Sequence, residues 1–245
     1  MDYNIEDLNS ILDSTIHGLL HNENALADLI DNELDKTLRA AGRYSQGINR
    51  DINNASKDMP EINLIVGPTG SGKTAIAHAM LVNPAFEKAY NFATIECFAK
   101  AFIGSITHNR KSNEVFIIES ILCSQDQRNL LVELQKSGAY IRMFFVSTEN
   151  PIINIVRVTK QNILKKSKCD IRKVWERYFK SLAGAIALAP CANEVFLLDN
   201  SIDVKSPRVL AQILECGEII RYTDDTPKWA YLFLSQIEQN MKEEL

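Results

Sequence analysis

INLIV-GPTGSGKT-AIAHAML, residues 62–81, decides how the rest of the chain is read. An apolar run enters a glycine-rich turn, and the turn enters a helical stretch, which is the setting that G-x-x-x-x-G-K-[ST] requires. Glycines let successive backbone amides point inward, and the start of the following helix adds partial positive charge. Gly67, Pro68, Thr69, Gly70, Ser71, Gly72, Lys73 and Thr74 are therefore the expected nucleotide-binding residues. Lys73 is placed to reach the β and γ phosphates, and the Thr74 hydroxyl to ligate Mg²⁺. The alternative is a glycine-rich turn that holds no ligand.

The same cradle serves kinases, GTPases, motors and remodelling machines, so it does not fix the reaction. No guanine-reading Asn-Lys-x-Asp motif is present. The strand containing VFII ends in Glu119-Ser120 rather than in the Asp-Glu pair of ATP-hydrolysing machines.

Outward from the turn, short apolar runs alternate with longer mixed ones. INLIV (62–66), EVFII (114–118), IRMFFV (141–146) and EVFLL (194–198) have the near-continuous apolar character of buried parallel strands. Helical stretches are expected at 73–82, about 125–137, 151–166 and 171–187. This alternation predicts an α/β fold, a parallel sheet with helices on both faces. VLAQILECGEIIRY reads as a hairpin turning at Cys-Gly, and Thr226-Pro-Lys-Trp229 opens a final helix.

Upstream, Leu8, Ile11, Leu12, Ile16, Leu19 and Leu20, then Leu26, Leu29, Ile30, Leu34 and Leu38, recur at helical spacing, with a break expected at 21–24. After Ala41 the chain turns polar and closes on Pro60, which suggests a linker. The expected organisation is an N-terminal helical segment and linker at 1–59, a core at 60–205 and a C-terminal hairpin and helix at 206–245.

The 245 residues are 46% hydrophobic and 24% charged, with a net charge of −4, enough for a sizeable core. No apolar stretch is long enough for a membrane span, and MDYNIEDLNS lacks the plan of a signal peptide, so a soluble, cytoplasmic protein is expected. Five cysteines without a Cys-x-x-Cys pair argue against a disulfide framework or a structural zinc site, and most are expected to be buried thiols. Charge is uneven: residues 1–58 carry 11 acidic and 5 basic side chains, whereas 157–180 carry 9 basic and 2 acidic. Each is either a solvated helix face or half of a complementary pair. The basic run also offers cations for phosphates. The acidic total disfavours nucleic acid as a partner.

IIESILCS (117–124), LQKSGAYIRMFFVST (134–148), WERYFKSL (175–182), LLDNS (197–201) and Pro227-Lys-Trp229, in this order, resemble the zeta-toxin family of P-loop kinases, in its bacterial, antitoxin-associated branch. The resemblance spans roughly residues 60–230. It implies a phosphotransferase that moves the γ-phosphate of ATP or GTP to a small-molecule hydroxyl, often on a UDP-N-acetylated sugar. It also implies a small helical antitoxin that blocks the nucleotide site, and residues 1–59 of this chain are a candidate for that role or for a plainer one as an extension of the core.

On the same resemblance, the family's basic aspartate falls at Glu96, which could take the proton of the attacked hydroxyl. The alternative for Glu96 is an ordinary surface glutamate. Arg157 is the expected transition-state cation, with Arg172 or Arg177 in reserve, and Arg177 has a structural ion-pair role as its alternative. Glu119 and Ser120 are expected substrate contacts, Glu119 at the carboxyl end of its strand either holding Mg²⁺ through water, binding an acceptor hydroxyl or capping the next helix. Gln125 is a further contact candidate. His78 and His108 receive no chemistry.

The chain departs from the family in having Gln161 where a second arginine is usual, Lys165-Lys166-Ser167 in place of a Gly-Gly-His stretch, and only 23 residues from Glu96 to Glu119. Three readings follow: an ATP- or GTP-dependent small-molecule kinase, a nucleotide-binding regulator without turnover, and an ATPase acting on nucleic acid. The last fits the charge least.

Overall fold

A computed structural model describes residues 23–44, 60–99, 114–167, 169–203 and 206–243. Its elements are α1 (Glu23–Tyr44), β1 (Glu61–Val66), α2 (Lys73–Leu81), β2 (Tyr90–Phe92), β3 (Val115–Ser120), α3 (Gln125–Lys136), β4 (Tyr140–Ser147), α4 (Pro151–Leu164), α5 (Ile171–Leu188), β5 (Glu194–Asp199), β6 (Arg208–Leu214), β7 (Ile219–Arg221) and α6 (Lys228–Glu243).

The strands form one sheet in the order β2-β3-β1-β4-β5-β6-β7. The first five are parallel and the last two antiparallel, so the hairpin read from VLAQILECGEIIRY extends the sheet at its β5 edge. This is the α/β architecture expected from the alternation of runs.

The pleat sends alternate side chains to opposite faces. Ile62, Leu64 and Val66 of β1 join Phe116, Ile118, Met143 and Phe145 in the main core, which α1, α3, α5 and α6 cover. Ile65, Ile117 and Val146 face the other way, onto Ile76 and Ala77 of α2. Because both faces are buried, the strands lack polar alternation, which is why they read as continuous apolar runs.

Several sequence expectations need correction. The second N-terminal helix starts at Glu23, inside the expected break, and runs on to Tyr44, past the proposed start of the linker. It buries Leu34 and Ala41 in the main core, and Lys228 of α6 pairs with its Asp31. The described part of the N-terminal segment therefore extends the core. The first expected helix and His108 lie outside the described residues. β2 was missed because three residues, two of them exposed, carry no periodic signal. Of the cysteines, Cys191 alone is buried, while Cys97 and Cys216 are exposed; all five are free thiols. Among the described residues, no helix is long and apolar enough to cross a membrane.

α5 lies against the loop after β3, where Gly184 permits the approach. A Cβ there would sit well inside contact distance of the Leu122 carbonyl oxygen. Leu122 is itself fully buried at φ 52°, a backbone state with little room to give. Alanine normally stabilises a helix interior by about 1 kcal/mol over glycine, but the overlap costs about 1–3 kcal/mol or more. Gly184→Ala should therefore lower the free energy of unfolding by about 1–2 kcal/mol in urea titrations, against the helix propensity scale.

Candidate functional site

A cavity of 590 Å³ opens at the carboxyl ends of β1 and β3, between residues 69–75, the end of β3, α4 and the loop after β5. This is where an open parallel sheet places its ligands. Gly70 at φ 84° and Gly72 at φ 95° occupy the left-handed region, and Gly67 hands the chain out of β1 with its amide donating to Ser120 O at 3.3 Å.

The start of α2 differs from the starts of α3, α4 and α5. Ser124, Asn150 and Asp170 each cap their helix by accepting a hydrogen bond from a first-turn amide. α2 begins instead at Gly72, with no side-chain cap and no acidic residue in its first turn. Its first amides and partial positive charge are thus left for an anion.

Lys73 lies along this loop with Nζ donating to Pro68 O at 2.8 Å. Burial above all, opposed by Glu119 and Cys123 and reinforced by Arg177, lowers its ammonium to about 8. Thr74 Oγ1 donates to Glu119 Oε2 at 2.7 Å. Glu119 is 8% exposed and lines the cavity at the end of β3, as the sequence suggested, and it does not cap α3, which Ser124 caps. A hydroxyl and a carboxylate side by side next to a phosphate loop form an oxygen donor set that fits Mg²⁺.

Ser120 also lines the cavity, with its Oγ accepting from Leu122 N at 3.1 Å. Gln125 does not: it bonds Asn129 and Arg128 on the outside of α3. Gln127, two positions on and turned to another side of the helix, lines the cavity instead. Its Nε2 donates to Glu96 Oε1 at 2.8 Å. Glu96 therefore stands one side chain behind the wall, beside the lining residues Ala93 and Thr94, and is not itself part of the lining.

Arg157 lines the cavity with its side chain 15% exposed, but its guanidinium is engaged. It donates through Nε and Nη2 to Asp203 Oδ1 at 2.9 and 2.5 Å, and through Nη1 to Asn200 O at 2.8 Å. Gln161, which stands where a second arginine was looked for, also faces the cavity. Arg172 points elsewhere, 88% exposed in its side chain and paired with Glu176. Arg177 is exposed on α5 and does not line the cavity; its charge adds to the lowering of Lys73, and among the described residues no hydrogen bond or ion pair engages it. The ion-pair role that competed for Arg177 thus has no partner there. His78 is exposed on α2, away from the lining.

Two asparagines that sequence reasoning left without a role touch the loop directly. Asn154 Nδ2 donates to Thr69 O at 2.8 Å, and Asn200 Nδ2 to Ser71 O at 2.7 Å. Asn200 stood within the LLDNS stretch, but nothing in one sequence marks a loop-binding asparagine.

No protein-family profile matches this chain, and no curated protein matches its sequence. Among solved structures it is similar to the AvrRxo1-ORF1:AvrRxo1-ORF2 complex with sulphate ions, at 14% identity and a TM-score of 0.45 over 86% of this chain and 84% of that one. It is also similar to a chain from the PezAT chromosomal toxin-antitoxin system of the human pathogen Streptococcus pneumoniae, at 12% identity and a TM-score of 0.46 over 87% and 96%. A third likeness, to AvrRxo1-ORF1:-ORF2 with ATP, has 13% identity and a TM-score of 0.36 over 98% and 91%.

Proposed function

We propose that this chain is a P-loop phosphotransferase that binds ATP or GTP and moves the γ-phosphate to the hydroxyl of a small molecule, with a UDP-N-acetyl sugar as the first acceptor to try. The observation that carries the reading is the uncapped start of α2, with Lys73 and the Thr74–Glu119 pair opening onto one cavity. Residues 67–74 hold the triphosphate through backbone amides, and Lys73 neutralises its outer oxygens. Thr74 and Glu119 would hold Mg²⁺, which shields phosphate charge when bound.

The acceptor enters on the side of Ser120, Thr94 and Gln127. Its oxygen forms a bond to the γ phosphorus as the bond from that phosphorus to the bridging β oxygen breaks, and the nucleoside diphosphate leaves. Glu96 takes the hydroxyl proton, with Gln127 orienting it. Arg157 or Arg177 is the cation for the charge spread over the transferring group. The family resemblance adds a partner, an antitoxin-like helix over the nucleotide site, supplied in trans or by the N-terminal segment, residues 1–59.

A second reading is a nucleotide-binding regulator without turnover. It is favoured by two contacts, the engagement of Arg157 by Asp203 and of Glu96 by Gln127.

Transfer of label from γ-labelled ATP to a panel of nucleotide sugars separates the two. The kinase reading expects a labelled product, and expects Glu96→Gln to lower kcat by about 100-fold or more with nucleotide affinity within about twofold. Binding with no transfer to any acceptor establishes the regulator.

A further inference from the structure

We propose that Asn154 and Asn200 form a two-point clamp that sets the phosphate loop in its binding conformation before any ligand arrives. The proposal rests on the reading of residues 67–74 as a triphosphate site, and concerns how that site is kept ready.

An amide-lined cradle works when its N–H groups face inward, so its carbonyls must face outward and find partners there. The clamp supplies two of them. Thr69 O accepts from Asn154 Nδ2, and Ser71 O accepts from Asn200 Nδ2. The orientation of both carboxamides is forced, because a carbonyl oxygen only accepts and the atom facing it must be the NH₂ group.

Each clamp residue is anchored in turn. Asn154 is fully buried on α4, and its Oδ1 accepts from the Thr148 hydroxyl. Thr148, also fully buried, presents its carbonyl to the Tyr178 hydroxyl of α5 at 2.7 Å. Asn200 follows β5 directly; its amide donates to Ser147 O at 2.8 Å and its carbonyl accepts from Arg157. The loop is thereby tied to β4, β5, α4 and α5, which do not share its glycine freedom.

The glycines and the asparagines are complementary. A Cβ on Gly70 would lie 2.8 Å from Asn154 O, and one on Gly72 would overlap Asn200 Nδ2. The glycines thus serve a second purpose beyond their positive φ: they leave space for the clamp. A loop fixed in advance spares the ordering cost that a free loop would charge against the ligand.

The test uses the full chain, with Asn200→Ala and Asn200→Asp as the main variants because Asn200 is only half-buried, and Asn154→Ala in support. In the ligand-free protein, amide hydrogen exchange across residues 67–75 should quicken by about tenfold in each variant, with β3 and β5 unchanged. Calorimetry with Mg-ATP should show Kd rising by about 10- to 100-fold. Asn200→Asp carries a further signature: its carboxylate repels Ser71 O at pH 7.5, whereas the protonated acid donates to it. The ratio of its Kd to that of the wild type should shrink towards pH 5, and the ratio for Asn200→Ala should not.

Unchanged exchange in the loop overturns the clamp. Faster exchange with a wild-type Kd overturns its role in binding. A wild-type chain that binds neither ATP nor GTP overturns the reading of the site instead, and the exchange rates alone then decide whether the two asparagines hold the loop.

Discussion

Lys73→Ala should weaken binding of a nucleoside triphosphate by about 100- to 1000-fold, the cost of removing one partner of a buried charged contact. Lys73 is placed along the loop, and its ammonium donates to Pro68 O at 2.8 Å. The same variant should be no less stable than the wild type at pH 7. Burial holds the Lys73 ammonium near 8 in the folded chain, below the 10.5 expected when unfolded. Between those values the unfolded state binds more protons, so this group makes the wild type more stable as pH rises from about 8 towards 10.5. Below 8 the charge is present in both states, and its burial opposes folding. The alanine variant should lose that rise, read by urea titrations at pH 7 and pH 10.

A triphosphate restores the charged state, so binding by the wild type should take up about half a proton at pH 8. Calorimetry in buffers of different ionisation enthalpy measures the uptake. Loss of affinity below about tenfold, or no proton uptake, would place the triphosphate elsewhere than on Lys73.

What the sequence made legible was what local backbone chemistry dictates. Residues 67–74 admit few conformations with an apolar strand before and a helix after, so the loop, β1 and α2 were readable together. The strands buried on both faces announced themselves as unbroken apolar runs. The hairpin after β5 was readable from Cys216-Gly217, where the turn needs φ 86° at Gly217.

The site was less legible, because it depends on approaches between distant segments. Gln127 rather than Gln125 reaches the cavity because a two-residue step turns a helical side chain through more than half a circle. The hold of Asp203 on Arg157 joins residues 46 apart in sequence. The approach of Asn154 and Asn200 to the loop depends on how α4 and the end of β5 reach it, with β4 lying between β5 and β1. The position of Arg177 depends on how α5 crosses the core, where Tyr178 ties the helix to Thr148 O.

That last feature reorders the two candidate arginines. Arg157, favoured by its place in the sequence, already spends its planar fork on Asp203 and Asn200 O. To meet a transferring phosphoryl group it must give up a charged partner, which offsets most of what it would gain. Arg177 has no such debt among the described residues, and it is near enough to Lys73 to act on its ammonium. Two like charges near each other repel, and that repulsion turns into shared attraction for a triphosphate that lies between or beside them. Arg177 is exposed on α5 and outside the cavity lining, but its helix is fixed beside it by the buried Tyr178.

Arg177→Ala should therefore lower kcat for phosphoryl transfer by about 100- to 1000-fold while nucleotide affinity changes by less than about threefold, the pattern of a contact made mainly in the transition state. Arg157→Ala should show the reverse split, a kcat within about tenfold of the wild type and a weaker nucleotide, because its loss loosens Asn200 and with it the carbonyl of Ser71. Steady-state kinetics with both variants on one acceptor read the difference directly. Should Arg157→Ala carry the larger loss in kcat, Asp203 must release that arginine when nucleotide binds. Asp203→Asn would then speed transfer in the wild-type background, whereas an Arg157 that stays with the loop predicts no such gain.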